Sequence, residues 1–267
     1  MRWSIAIITF ILTVAGPYRA LAQEGGESEM SIGEKFHYLT GFGVSGYRNP
    51  EPHHGDAAPV YKTYPDAERV ALPTPDFTGK PVETAIRERR SVRVFADDSL
   101  TLEVLSQLLL SANGVTYAGS VDLRSAPSGG ALYPIETYVV VSDVESLAPG
   151  LYHFQVSDSS LELVSEGRFD KDIHRAAHEQ ESVGASPVTI ILTARFDRTT
   201  RKYADRGYRY AYIEVGAICE NIYLQAQSLD LGTAAVGAFN DASLNDFLDI
   251  DGRSEAAILI MPVGVPR

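Results

Sequence analysis

From Asp205 to Leu229 the chain reads as one long helix that is apolar on most sides, and no other segment limits its fold so strongly. Its polar residues Glu214, Asn221, Gln225 and Ser228 recur at helical spacing and fall on one narrow stripe. Such a helix must be covered nearly all round, either inside a large core or where subunits meet. Gly232 is placed to end it. Two apolar runs offer the cover. Ile135–Val141 and Pro187–Phe196 read as buried strands, the second centred on Val-Thr-Ile-Ile-Leu-Thr. At 267 residues and 45% hydrophobic content the chain can bury a full core, with one domain as the default.

The other elements are read from period and punctuation. Pro81 opens a helix through Arg90. Leu100 to Asn113 is a second helix, with Leu102, Leu105, Leu109 and Ala112 on one face and Gly114 at its end. Leu151–Val156 and Leu161–Val164 form a hairpin around a polar turn at residues 157–160. Asp170 to Glu181 reads as helix, Thr233–Phe239 as strand, Leu244–Leu248 as a short helix and Ala256–Val263 as the last strand. Strands and helices mix without regular β-α-β spacing, which points to an α+β fold. Residues 23–80, rich in Gly, Pro and acids, read as an extended arm ahead of a domain at 81–267. Within the arm, residues 41–46 match a dinucleotide-binding spacing, but Pro50 closes off the helix that motif requires.

Net charge is −12, and the first 22 residues hold Arg2 and Arg19 but no acid, so the rest of the chain is more acidic still. Phosphate backbones and anionic membrane surfaces would be repelled, so no nucleic-acid partner is expected. Cys219 is the single cysteine, which excludes an intrachain disulfide and reads as a small buried hydrophobe. Residues 1–22 read as a signal peptide: Arg2, an apolar core from Ile5 to Ala15, and Ala20-Leu21-Ala22 before Gln23. That core is too short to span a bilayer, so the expected address is the periplasm or the outside, with no span after cleavage. His174 and His178 lack the Glu of a zinc-protease helix, and no metal site is expected.

Two motifs carry chemistry. Arg124 to Pro134 is a loop rich in backbone donors, with Pro127-Ser128-Gly129-Gly130 at its centre. Upstream, Arg89-Arg90-Ser91-Val92-Arg93 sets guanidinium groups on both sides of a small hydroxyl. Arg recognises phosphate with a planar fork, and Gly lets backbone approach a ligand closely. The pairing suits a cofactor with an anionic tail and a flat polar ring. On its own, the Arg segment also reads as a solvated charged helix end, and Ser128 has no G-x-S-x-G elbow around it that would make it a hydrolase nucleophile.

Six stretches in order give the chain a resemblance to the flavin-dependent nitroreductase superfamily, and within it to the SagB-type branch, which contains the azoline dehydrogenases of peptide modification. They are Tyr61-Lys62-Thr63-Tyr64-Pro65 with Leu72-Pro73, the Arg-Arg-Ser-Val-Arg segment, Pro127 to Pro134, Gly150-Leu151-Tyr152-His153, Lys202 to Arg209, and Val236-Gly237-Ala238-Phe239. The resemblance runs from about Phe36 to Arg267. It implies an α+β dimer with a central, mostly antiparallel sheet flanked by helices and FMN bound where the subunits meet. By resemblance, Arg89 and Ser91 bind the FMN phosphate and ribityl chain, and Arg93 lies near the pyrimidine end of the flavin. Pro127, Ser128 and Gly129 lie against the neighbouring subunit's flavin, with Ser128 touching a ribityl hydroxyl. Val236-Gly237 presents a backbone N–H to N5, and Arg267 is a further phosphate contact. Ala131 stands where classical nitroreductases carry Asn, as in the SagB-type branch.

The resemblance makes Lys202 and Tyr203 the catalytic pair, taking the proton lost as hydride goes to flavin N5. On the residues alone they read equally as a surface Lys and a packing Tyr. The implied activity is an exported FMN oxidoreductase working in ping-pong order on a small-molecule or peptide substrate. Azoline dehydrogenation is the alternative enzyme reading, and a flavin- or ligand-binding module without turnover is the alternative outside enzymes.

Overall fold

A computed structural model describes residues 30–41 and 59–267, which leaves the signal-peptide reading and the glycines at 43 and 46 outside the described residues. The chain divides into two units, one ending at Pro50 and one running from Glu51 to Arg267. In the first, helix α1 (Ile32–Leu39) starts from a capping box in which Ser31 and Glu34 satisfy each other's backbone N–H. The arm expected as extended therefore holds a helix.

In the second unit the order is β1 (Arg69–Ala71), α2 (Val82–Glu88), α3 (Leu102–Asn113), β2 (Val115–Tyr117), β3 (Leu123–Arg124), β4 (Ile135–Val141), β5 (Gly150–Gln155) and β6 (Ser160–Glu166). It continues with α4 (Asp170–Ala176), α5 (Glu181–Gly184), β7 (Val188–Arg195), α6 (Phe196–Tyr203), α7 (Arg206–Ser228), β8 (Gly232–Thr233), α8 (Asp241–Phe247) and β9 (Glu255–Gly264). Seven strands make one antiparallel sheet in the order β1-β6-β5-β4-β7-β9-β8, and β2 and β3 form a separate hairpin.

Successive strand side chains point to opposite faces, so one run can feed two cores. Ile135, Val139, Ile190 and Leu192 pack with α3 and α7 on one face. Tyr138, Val140, Ile191 and Ile260 pack with α4, α5 and α8 on the other. This is why β4 and β7 read as unbroken apolar runs rather than alternating ones. Among the described residues no helix is long and apolar enough to cross a membrane.

Three expectations need correction. The helix read over Asp170–Glu181 is two helices, because His178 and Glu179 both take positive φ (54° and 56°) and break the ladder. The strand read over Thr233–Phe239 shortens to Gly232–Thr233, beyond which the chain bridges to β9 at Val236–Ile260. Helix α6 lies unforeseen ahead of α7; its sequence FDRTTRKY is almost wholly polar, so it carries no apolar stripe to announce it. The stripe Asn221, Gln225 and Ser228 faces inward: these side chains bond Ala112 O, Ser111 Oγ and Lys80 O respectively.

Candidate functional site

Arg89 and Ser91 converge on Tyr223. Helix α2 ends at Glu88, and Arg89 (ψ 128°) turns the chain into an extended strap. The Arg89 guanidinium lies over the Tyr223 ring, 4.8 Å from its centroid. Ser91 Oγ stands 3.0 Å from the Tyr223 hydroxyl, which also accepts the Ala235 N–H at 2.7 Å. The strap then pairs in two places. Val92 N–H donates to Thr233 O, and Arg267 N–H donates to Val94 O. Arg89, Ser91, Arg93 and Arg267 thus share one tied-down ribbon, with Arg93 and Arg267 exposed.

Close by, Val236 N–H is committed to Ile260 O at 2.9 Å, so the amide presented at that point is the exposed Gly237. A Cβ at Gly237 would meet nothing within 4 Å.

The second group forms around the glycine loop. Ser128 Oγ accepts the Tyr133 N–H at 2.9 Å and closes the turn, while Gly130, Ala131 and Tyr133 all take positive φ. Gly130 and Tyr203 meet here: a Cβ at position 130 would stand 2.5 Å from the Tyr203 hydroxyl and 2.8 Å from Lys202 Nζ. Gly129 lies over the Tyr210 ring, and Tyr203 packs edge-on to Tyr210 at 4.7 Å. Arg206 donates to the Tyr210 hydroxyl at 3.1 Å. Lys202 is exposed in the protomer, and Tyr203 is half-buried.

Beneath the loop runs a chain of buried charge. Arg198, one helical turn before Lys202, donates to Tyr133 O at 2.7 Å, to Pro59 O at 2.9 Å and to the Glu136 carboxylate. His153 bridges Glu136 (3.1 Å) and Glu162 (3.0 Å), and Arg69 reaches Glu162 at 2.7 Å. Burial alone would raise the Glu136 carboxyl, but His153 and Arg198 outweigh it and hold it down at about 2. Burial would likewise lower His153, yet its two carboxylate partners keep it above the usual imidazole range. A parallel network joins Lys62, Tyr64, Tyr138 and Glu255. The Tyr61–Pro65 motif and His153 therefore build the floor of the fold and do not approach Gly130 or Tyr223 through any of these bonds.

Glu214 on α7 is 2% exposed, and neither of its carboxyl oxygens has a partner of hydrogen-bonding geometry. Burial pushes its carboxyl up to about 7, against the pull of the facing Ser128 hydroxyl and the charges of Arg124 and Arg198. Arg124 is also buried, stacked on Tyr133 at 4.5 Å. Burial pushes the Cys219 thiol up to about 11, so it carries little thiolate near neutral pH.

The residues singled out in the sequence thus fall into two groups on α7, one at Tyr223 and one at Tyr210. Thirteen residues at 1.5 Å each separate these tyrosines by ~20 Å along the helix. Tyr210, Tyr223, Arg198 and Glu214 were not singled out as site residues. Nothing in their local sequence marks them, since each acts on a segment distant in the chain.

A seven-stranded antiparallel sheet with helices on both faces, a basic strap at Tyr223 and a glycine loop at Tyr210 define a class, and comparison with known proteins agrees. Residues 86–265 match the nitroreductase family model, and the chain belongs to that family. It is 38% identical over 197 residues to MJ1384 of Methanocaldococcus jannaschii, itself named as a nitroreductase, covering 74% of this chain and 97% of that protein. It is 27% identical to the microcin B17-processing protein McbC of Escherichia coli, covering 62% of this chain and 63% of that protein. A solved nitroreductase of Ralstonia eutropha superposes with a TM-score of 0.65 at 26% identity, covering 80% of this chain and 96% of the other.

Proposed function

We propose that this nitroreductase-family oxidoreductase is an exported FMN enzyme working as a homodimer. Each flavin is held by Arg89, Ser91, Arg93, Gly237 and Arg267 of one subunit and covered by Pro127–Gly130 of the other. The separation of the two residue groups along α7 carries this reading. One protomer sets its basic strap and its glycine loop ~20 Å apart. Two copies with antiparallel α7 helices bring the strap of each beside the loop of the other. Tyr212 and Ile213, left exposed on α7, supply apolar surface for such a pairing.

The strap fits a monophosphate. Arg89 is oriented by the Tyr223 ring and, among the described residues, no carboxylate neutralises it. Ser91 adds a hydroxyl beside it. Arg93 brings positive charge to the pyrimidine end of the ring, where it would favour an anionic cofactor. The bound FMN supplies hydride transfer through N5, in ping-pong order between a donor and an acceptor.

The chain's own residues handle the proton. Lys202 Nζ takes it from the substrate carbon or heteroatom, and the Tyr203 hydroxyl, in contact with the same glycine, orients or relays it. Tyr210 and the loop wall the site against water.

Azoline dehydrogenation on a peptide is the second reading. It is favoured by the likeness to a microcin-processing protein together with the Lys202–Tyr203 pair. Export rests on residues 1–22 alone, and an N-terminus at Gln23 in protein recovered from the periplasm tests it. Anaerobic titration tests the enzyme. A donor should bleach the purified protein's yellow colour and an acceptor should restore it, with FMN released on heating. Tight flavin without either half-reaction would make the protein a binding module.

A further inference from the structure

Tyr223 packs in the apolar core on α7, 8% exposed, and a phenylalanine would fill the same space. Its hydroxyl therefore needs its own account. Among the described residues that oxygen has two partners, the Ala235 N–H at 2.7 Å and Ser91 Oγ at 3.0 Å. It is not needed to tie the strap down, because Val92 N–H already bonds Thr233 O at 2.9 Å and Ser91 bridges to Thr233. Stacking under Arg89 does not need it either, since the ring alone supplies that face.

The protons fix the direction of these bonds. The Ala235 amide can only donate, so the phenol oxygen is the acceptor there. The phenol proton then has one acceptor within reach, Ser91 Oγ. Were Ser91 to donate instead, the proton of a buried tyrosine would be left without a partner. Ser91 itself is exposed, and its own proton is free to point at whatever lies in front of the strap. The row thus runs one way, from Ala235 N–H to Tyr223 O–H to Ser91 O–H, each bond polarising the next.

We propose that Tyr223 is a positioning residue that makes Ser91 a hydrogen-bond donor to an anion, so that the serine hydroxyl and the Arg89 guanidinium meet a phosphate monoester as two donors. A free serine turns either its proton or a lone pair outward, and a lone pair repels a phosphate oxygen. The Tyr223 proton occupies the inward lone pair of Ser91 and leaves the serine proton facing out. Beside it stands Arg89, which the same ring orients.

This inference rests on the proposed placement of the FMN phosphate at the strap, and the experiment separates the two. Dissociation constants of FMN and of riboflavin, which has the same ring and no phosphate, are measured for the wild type, Ser91→Ala, Tyr223→Phe and the double variant. The preference for FMN over riboflavin cancels any general loosening of the pocket. It should fall ~10-fold or more in Ser91→Ala and ~3- to 10-fold in Tyr223→Phe. The double variant should fall no further than Ser91→Ala, because the hydroxyl of Tyr223 acts through the serine. Equal weakening of both flavins by Tyr223→Phe, or losses that multiply in the double variant, would overturn the proposal. A preference unchanged in Ser91→Ala rejects the phosphate contact itself and the donor role with it. A preference lost in Ser91→Ala but kept in Tyr223→Phe rejects the part of the tyrosine alone.

A second measurement needs no substitution. Neutron diffraction from the FMN-loaded wild type in heavy water should place the Tyr223 deuteron towards Ser91 Oγ and the Ser91 deuteron away from Tyr223. A Ser91 deuteron directed at the Tyr223 oxygen would overturn the proposal. Amide exchange in the flavin-free protein checks the fixed end of the row. Ala235 should lose protection in Tyr223→Phe and keep it in Ser91→Ala. Protection kept in Tyr223→Phe would remove that fixed end and the proposal with it.

Discussion

Gly130 and Tyr203 approach so closely that a side chain on the first would strike the hydroxyl of the second at 2.5 Å. The contact joins the glycine loop to the end of α6, two segments that the sequence lists far apart. It also explains why glycine stands there twice over: position 130 takes φ of +69°, which L side chains resist, and the space in front of it is filled by Tyr203 and Lys202.

Gly130→Ala should therefore fail in two measurable ways. The backbone conformation costs ~1–2 kcal/mol, read as a lower melting temperature. The added methyl displaces the ends of Lys202 and Tyr203, so flavin reduction should slow by more than the stability loss explains. A variant with wild-type reduction rates would show that the contact does not govern the pair.

Arg89→Ala removes a guanidinium that Tyr223 orients and that no carboxylate of the described chain claims. FMN affinity should drop by ~1.5–3 kcal/mol, the range for a charge-assisted hydrogen bond. Since Arg89 is a helix-end residue, the melting temperature of the flavin-free protein should scarcely move. Isothermal titration and thermal unfolding together distinguish this outcome from general damage.

The buried chain Arg198–Glu136–His153–Glu162 predicts an acid limb of stability. Glu136 has a folded value of about 2 against an ordinary 4.5, so its stabilisation is complete above pH 4.5 and is lost as pH falls towards 2. The loss is on the order of a few kcal/mol. His153, held above 6.5, works in the other direction: its contribution is complete below 6.5 and fades as pH rises through its folded value. Glu136→Gln should flatten the acid limb and cost ~3–5 kcal/mol at pH 6, because it leaves Arg198 buried without its counter-charge. Chemical denaturation across pH 2–8 checks both signs.

What the sequence made legible was whatever declares itself locally. Strands β4 and β7 announce themselves as apolar runs, and α7 as a helix with one polar stripe. The strap and the loop are visible because Arg, Ser and Gly at close spacing carry chemistry in a few residues. Tertiary facts stayed hidden. Tyr223 reads as one more aromatic on an apolar helix, and only the fold sets it under Arg89 and Ser91. Nothing in the sequence marks Arg198, yet it is buried because Glu136 and the Tyr133 carbonyl await it. The break at His178 and Glu179 was hidden for a related reason, as neither residue signals positive φ in the way glycine does.

The proposed dimer also rests on α7. Tyr212 and Ile213 are 45% and 68% exposed on a helix whose other faces are packed. Light scattering should find two chains per particle, flavin-loaded. Replacing Ile213 with Glu should yield monomers that lose FMN with it, because strap and loop no longer meet. A monomer that keeps its flavin would place the whole site within one chain.

The last prediction concerns Lys202. If it removes a proton while hydride leaves the donor, Lys202→Ala should bind FMN with an unchanged absorption spectrum. Reduction by a carbon–hydrogen donor should slow by ~10²–10⁴, the usual contribution of a general base. Reoxidation of chemically reduced protein by a nitroaromatic acceptor should be much less affected, because that half-reaction deprotonates no carbon acid. Tyr203→Phe keeps the ring against Tyr210 and removes only the hydroxyl, so it should slow the same half-reaction without loosening the loop. Stopped-flow measurement of the two half-reactions reads these differences directly. Equal slowing of both would mean that the pair positions flavin or substrate, and the base would have to be sought elsewhere in the site.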